Sequence, residues 1–294
     1  MTSCGSAPSA RLGGHPAPPD LRALLTPRTA AGVAALAALL AEPARALVAL
    51  DYDGTLAPFV LDPLAAVPAT GAADVLAALA ALVGEVALVT GRPADVAASL
   101  AGLTTDPRLA RVVVVGQYGA QRWAGGVLTS APAAPGIAEL RTRLPSLLAE
   151  APAGVHVEDK GLALAVHTRP AADPAAALAA LAPALTALAA ELGLDLVAGS
   201  DVLELRSPGP DKGETVRGLG AGRSAVLYAG DDDGDLPVLA AAQELRAGGV
   251  PVVVVCSGRP DGPVALRERA DLVVDGPAGV VAALRTLVGA LGTR

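Results

Sequence analysis

Aromatic side chains are nearly missing from this chain, which has one Trp, one Phe and three Tyr in 294 residues. Its cores must therefore be built from Leu, Val and Ala, which supply most of the 52% hydrophobic content. Positive charge is short as well. The 22 Lys and Arg against 29 Asp and Glu leave a formal charge of -7, which argues against nucleic acid as a partner. An anionic small-molecule substrate stays open, because a bound metal and a few local cations outweigh a global field. Cysteine is limited to Cys4 and Cys256, too few and too far apart for a disulfide framework, and Cys256 reads as a small buried hydrophobe. A secretory pattern is absent: residues 1–28 open as a Pro/Gly/Ser/Ala mixture and are expected to form a disordered tail. The least polar long stretch, 174–190, carries a single stripe of Leu178, Leu181, Leu185, Leu188 and Leu192. A one-faced helix therefore outweighs a membrane span. A soluble, cytoplasmic chain with no membrane partner is expected.

What is present is an alternation. Apolar runs at 46–50, 86–89, 112–115, 225–228, 252–255 and 272–274 read as strands. Helical stretches fall near 29–42, 72–82, 93–100, 213–218, 236–247 and 278–290. That rhythm predicts a doubly wound, Rossmann-like parallel sheet, with ligands at the carboxyl ends of its strands. Residues 134–208 break it, reading helix, two strands, helix, two strands: an antiparallel α+β layer inserted into the α/β domain. Pro-rich stretches at 131–135 and 207–210 flank it like hinges. The expected organisation is a core of 29–133 and 209–294 around a cap of 134–208.

The strand ends carry the chemistry. Asp51-Tyr52-Asp53-Gly54-Thr55-Leu56 follows the first strand, and its two nearby carboxylates call for a raised pKa or a cation. All-oxygen ligands of this hardness favour Mg²⁺. An ordinary acidic turn is the bland reading of the hexapeptide alone. The second strand delivers Thr90-Gly91-Arg92-Pro93, whose hydroxyl and free N–H groups suit a phosphate oxygen. The fourth delivers Gly230-Asp231-Asp232-Asp233-Gly234-Asp235, self-repelling without a cation and lacking the closing acid of a calcium loop. Asp211-Lys212-Gly213 opens a helix after the Pro-Gly hinge and places Lys212 to reach the same site. On the cap strands, alternation puts Glu158 with Lys160, His167 with Arg169, and Glu204 with Arg206 on faces opposite apolar residues. Those apolar faces, Val155 and Val157 among them, are expected to pack on the cap helices.

These motifs resemble the haloacid dehalogenase superfamily of phosphatases, and more closely its trehalose-6-phosphate phosphatases. Asp51-Tyr52-Asp53-Gly54-Thr55, Thr90, Lys212 and Gly230-Asp231-Asp232 stand in the family's order. Glu158, Lys160, His167, Arg169 and Glu204 meet its cap pattern. Gly116-Gln117-Tyr118-Gly119-Ala120-Gln121 stands where that family has Gly-Asn-His-Gly-x-Glu, so Tyr118 and Gln121 depart from it, as do Gly234 and Leu236 at the edge of the acidic loop.

The resemblance implies two-step phosphoryl transfer from trehalose 6-phosphate. Asp51 is the nucleophile and Asp53 the general acid and base, with Thr90 and Lys212 completing the catalytic set. Mg²⁺ is held by Asp51, Asp53 (through its carbonyl) and Asp231, supported by Asp232 and Asp235. Phosphate contacts fall to Tyr52, Gly91 and Arg92. Sugar contacts fall to Gln117, Tyr118, Glu158, Lys160, His167, Arg169 and Glu204. Functional coupling to a trehalose-phosphate synthase belongs to the same picture. Two alternatives stay open: a phosphatase of sucrose 6-phosphate or glucosyl-3-phosphoglycerate, and a non-catalytic sugar-phosphate-binding regulator.

Overall fold

The computed structural model describes residues 25–60, 62–199 and 201–293. The tail expected over 1–28 therefore lies outside the described residues except at its end. There Arg28 is docked, its guanidinium donating to the carbonyls of Arg267 at 2.6 Å and Ala270 at 2.8 Å.

Two sheets organise the described residues. The larger holds β1 (Leu47–Leu50), β2 (Glu85–Val89), β3 (Val112–Gly116), β4 (Gln121–Ala124), β5 (Val127–Ser130), β10 (Val226–Gly230), β11 (Val252–Gly258) and β12 (Leu272–Asp275). Its order is β12-β11-β10-β1-β2-β3-β4-β5. It is parallel from β12 through β3 and closes with two antiparallel strands. The parallel strands are apolar on both faces because both faces are covered. Val48 and Leu50 point to a layer with α1 (Ala30–Ala41), α2 (Ala72–Leu82), α3 (Ala94–Leu100) and α9 (Gly276–Gly292). Leu47 and Ala49 point to the opposite layer with α6 (Lys212–Gly220), α7 (Leu236–Ala247) and α8 (Val264–Arg269). With few rings to fill space, alanines such as Ala35, Ala87, Ala94 and Ala97 are wholly buried; they let helix and sheet backbones approach closely.

The second sheet, β6 (His156–Asp159), β7 (Ala163–His167), β8 (Asp195–Gly199) and β9 (Val202–Arg206), is antiparallel in the order β6-β7-β9-β8. One face is covered by α4 (Pro135–Leu147) and α5 (Pro174–Leu192). Ile137, Leu140 and Leu144 of α4 and Leu181, Leu185 and Leu188 of α5 share one core with Leu164 and Val166 of β7 and Leu203 and Leu205 of β9. Each such buried leucine contributes about 1.5–3 kcal/mol. By length and composition α5 could also cross a membrane; here its leucine stripe lies on the cap sheet. Val157 corrects one expectation: it is 41% exposed. It sits on the edge strand β6, whereas α4 lies over β7 and α5 over β8 and β9. The two linkers joining the layers are tied together, Ala134 N–H donating to Ser207 Oγ at 2.9 Å.

Sheet order fixes the place of chemistry. β1 lies between β2 and β10, with Leu50 opposite Leu88 on one side and Ala229 on the other. The residues that follow these three strands, Asp51, Thr90 and Asp231, are thereby brought to one rim, and the cap lies over it.

Candidate active site

Gly54 lets the loop after β1 fold back on the loop after β10. Its φ is +75°, and a Cβ there would lie 2.2 Å from Asp231 Oδ2, so no other residue fits without displacing an acid. The loop is pinned by Ser257 Oγ donating to the Gly54 carbonyl at 2.7 Å and Thr55 Oγ1 donating to Asp231 Oδ1 at 3.0 Å.

A charged knot follows. Lys212 Nζ lies 2.8 Å from both Asp51 Oδ1 and Asp235 Oδ1 and 3.7 Å from Asp232 Oδ1. Asp235 is saturated. It also accepts from Tyr228 OH at 2.6 Å and from the N–H groups of Asp231 at 2.7 Å and Asp232 at 3.0 Å. Burial pushes Asp235 up, but Lys212 and these donors outweigh it and hold it below the usual carboxylate range. Asp51 goes the other way: burial lifts it well above that range, and Lys212 only partly opposes. Burial, reinforced by Asp235 and Asp232, pushes Asp231 up to about 8.

Whether these residues fit a divalent metal can be tested on Asp231. Its Oδ2 is buried and, among the described residues, accepts no hydrogen bond. The one cation beside it there is the Arg259 guanidinium at 3.2 Å, without hydrogen-bond geometry, which leaves the oxygen's acceptor capacity open to a metal ion. Oxygens of Asp51, Asp231 and Asp235 lie within 4.8 Å of one another. The donor set is all oxygen, the choice of a hard cation. Because Asp235 is already saturated, Asp51 and Asp231 are the side chains left to hold the metal.

The remaining expected residues divide. Asp53, Thr90, Gly91, Arg92 and Tyr118 line the cleft between core and cap with Asp51, Lys212 and Asp232. Glu158, Lys160, His167, Arg169 and Glu204 line it from the cap side. Asp53 is held by Arg92 in a two-pronged pair at 2.6 and 2.7 Å. Lys160 Nζ is 2.6 Å from Glu204 Oε2, and His167 Nε2 is 3.0 Å from Glu158 Oε2. The His167 hydrogen bond holds the Glu158 carboxyl below the usual range.

Tyr52, Gln117, Asp231 and Asp235 lie outside this lining. The Tyr52 ring is buried and its hydroxyl donates to the Ala66 carbonyl at 2.7 Å, so that side chain does not reach a phosphate. Gln117 is buried, and its amide donates to the Lys160 backbone carbonyl, linking core to cap.

Gln117 and Tyr118 both take left-handed backbone, at φ 46° and 60°. Such strain costs about 1–3 kcal/mol per residue and gathers at functional sites. It turns Tyr118 so that its hydroxyl packs on Gly91, where a Cβ would lie 2.7 Å from it. Arg206 covers the Tyr118 ring at 4.7 Å. Gln121 points elsewhere: its Oε1 accepts from Ala94 N–H at 2.9 Å at the start of α3.

Arg259 was not anticipated. It follows β11, lines the cleft, and sets Nε 3.2 Å from Asp231 Oδ2 without hydrogen-bond geometry. The signal was available, for Ser257-Gly258-Arg259-Pro260 repeats the pattern of Thr90-Gly91-Arg92-Pro93 at another strand end. A larger hollow of about 600 Å³ lies at the amino ends of the strands among Arg45, Glu85, Arg122 and Arg223. It brings together no nucleophile and no metal ligands, so the chemistry favours the cleft under the cap, of about 240 Å³.

With this geometry in place, the comparisons are specific. The family model for trehalose-phosphatase matches residues 49–271. The chain belongs to the trehalose-phosphatase family. It is 33% identical over 220 residues to the trehalose-phosphate phosphatase of Mycobacterium avium (strain 104), covering 70% of this chain and 54% of that protein. To the trehalose-phosphate phosphatase of Mycobacterium marinum it is 34% identical over 202 residues, covering 64% and 49%. The chain thus spans about half the length of these curated relatives. In fold it is similar to the C-terminal domain of C. albicans trehalose-6-phosphate phosphatase, with a TM-score of 0.71 at 20% identity over 90% of this chain and 98% of that one. A haloacid dehalogenase-like hydrolase from Bacteroides thetaiotaomicron matches with a TM-score of 0.57 at 15% identity, over 81% and 98%.

Proposed function

We propose that the chain is a Mg²⁺-dependent phosphatase that hydrolyses trehalose 6-phosphate to trehalose and phosphate. The observation that carries this reading is the meeting of Asp51, Lys212 and Asp231 beneath a cap face of Glu158, Lys160 and Glu204. Family membership supports the substrate.

In the first step a carboxylate oxygen of Asp51 attacks phosphorus and the phosphorus–sugar oxygen bond breaks. Asp53 gives its proton to the departing oxygen. In the second step Asp53 takes a proton from water, which attacks phosphorus and releases phosphate from Asp51. Both steps need the Arg92 fork to turn from Asp53, and the incoming phosphate offers Arg92 a substitute anion. Asp53, freed, takes from water the proton that it gives up in the first step and regains in the second. Lys212 keeps the anionic nucleophile and acidic loop in register, and Thr90 Oγ1 and the Gly91 backbone stand where transferring oxygens can be held. Mg²⁺, held by Asp51, Asp231 and the Asp53 carbonyl, would supply charge neutralisation at the phosphate. On the cap, carboxylates accept from sugar hydroxyl groups and Lys160 donates to them. A cytoplasmic location and coupling to a trehalose-phosphate synthase belong to the same reading and rest on family membership.

The test is phosphate release with Mg²⁺ from trehalose 6-phosphate beside sucrose 6-phosphate, glucose 6-phosphate and glucosyl-3-phosphoglycerate. Strong preference for the first is expected. Better turnover of another substrate would keep the chemistry and replace the sugar.

A further inference from the structure

Phe59 is the single phenylalanine of the chain, and it is 44% exposed in the wall of the active-site cleft. With Val60 and Pro63 beside it the ring makes an apolar patch inside a cleft, and a patch of that kind marks a binding surface where a lone exposed side chain would not. Its placement is fixed on two sides. The Arg259 guanidinium lies 4.7 Å from the ring centroid and is itself anchored beside Asp231. Against the ring edge, a Cβ on Gly54 would come within 2.5 Å of Cε2. Arg259 over the ring and the Gly54 loop at its edge thus hold Phe59 in place, and the part of the ring that stays exposed belongs to the cleft lining.

The surroundings extend this apolar wall. Val60 and Pro63 continue it on the core, and Val197, Ala198 and Val202 line the cleft from the cap. The cap charges Glu158, Lys160 and Glu204 line another part of the same cleft. A pyranose ring has the matching division, with a rim of hydroxyl groups and a face of C–H bonds. Hydroxyl groups satisfy carboxylates and ammonium groups, whereas a C–H face gains from an aromatic surface that offers no hydrogen bond.

We propose that Phe59, backed by Arg259, is an aromatic platform that stacks the C–H face of a pyranose ring of the substrate and so selects sugar phosphates over phosphomonoesters lacking a ring. This deepens the phosphatase reading and rests on it for the assay, but it does not depend on which sugar is bound. Arg259 acts through Phe59 and is a positioning residue.

The experiment compares kcat and KM for trehalose 6-phosphate and glycerol 1-phosphate in the wild-type enzyme, F59A, F59L and F59W, each checked for folding by circular dichroism. The ratio of kcat/KM for the sugar over the glycerol ester is expected to fall about tenfold in F59A and F59L, the size of one aromatic contact. The change should fall on KM, and F59W should restore the ratio to within about threefold. Leucine keeps the bulk without the π face. Equal ratios in F59L and the wild type would overturn the proposal, as would a parallel loss on both substrates. If the wild type prefers another sugar phosphate, the substrate reading fails and the same ratio is taken with that sugar. If it releases phosphate from nothing, the phosphatase reading fails, and calorimetric binding of trehalose 6-phosphate to the wild type and F59L decides the platform by the same tenfold criterion.

Discussion

Lys212→Met is the sharpest perturbation of the charged knot. Lys212 is 3% exposed and sits 2.8 Å from Asp51 and from Asp235. Burial alone pulls its ammonium pKa down, but those two carboxylates reverse this and hold it well above the ordinary lysine value. Methionine keeps much of the volume and removes the charge, leaving the buried, ionised Asp235 without its cation and Asp51 without the group that opposes its protonation. Breaking a buried pair from one side costs about 3–5 kcal/mol. At about 2–4 °C per kcal/mol for a chain of this class, that is a melting point lower by about 6–20 °C without divalent cation. Added Mg²⁺ should narrow the gap, since a dication among the same acids takes over part of the neutralisation. At a temperature where both proteins are folded, kcat should fall about 10²–10³-fold, the usual loss for one preorganised electrostatic contact. Differential scanning calorimetry with and without EDTA, and phosphate release at saturating substrate, read the two effects separately. A variant that melts within about 2 °C of the wild type in EDTA, or keeps kcat within about threefold, would refute this account of Lys212, since both lie well below the smallest expected effects.

Removing the divalent cation with EDTA should abolish phosphate release, and Mg²⁺ should restore it, because the buried oxygens of Asp51 and Asp231 crowd together as an all-oxygen donor set. Lys160→Ala breaks the 2.6 Å contact to Glu204 on the cap face and should raise KM for trehalose 6-phosphate by about tenfold or more, as expected for a charge-assisted contact. Steady-state kinetics should show a smaller change in kcat. Gln121→Leu leaves Ala94 N–H without its acceptor and should cost about 1–3 kcal/mol in urea unfolding. Gln121→Glu, which keeps an acceptor oxygen, should be milder, and KM should hardly move in either.

The α/β rhythm was legible because the parallel strands are short, apolar and end in chemistry. The strand ends at Asp51, Thr90 and Asp231 point to one rim once the sheet order is known. Other features depend on geometry that composition does not display. The hairpin of β4 and β5 was missed, although Gly125 and Gly126, at φ 57° and 83°, carry the two-residue turn signal of such hairpins. The six-residue α8 is too short to show a period. Val157 read as a packed residue because alternation gives a face and not a neighbour. Glutamine at 121 stands out in sequence as a departure from the family pattern, and its side-chain oxygen ends at the start of α3. The Arg92 fork on Asp53 and the approach of Arg259 to Asp231 are contacts between residues far apart in sequence. Only the repeated hydroxyl-Gly-Arg-Pro pattern hinted at the second.

The most direct test of the central claim is to trap the covalent step. A single turnover of phosphorus-labelled trehalose 6-phosphate is quenched in acid, and the protein is digested and mapped. The account predicts label on the peptide carrying Asp51, removed by hydroxylamine and absent from Asp51→Asn. Labelled phosphate released by the wild type at full rate with no label ever on the protein, or label on another residue, would contradict Asp51 as the nucleophile.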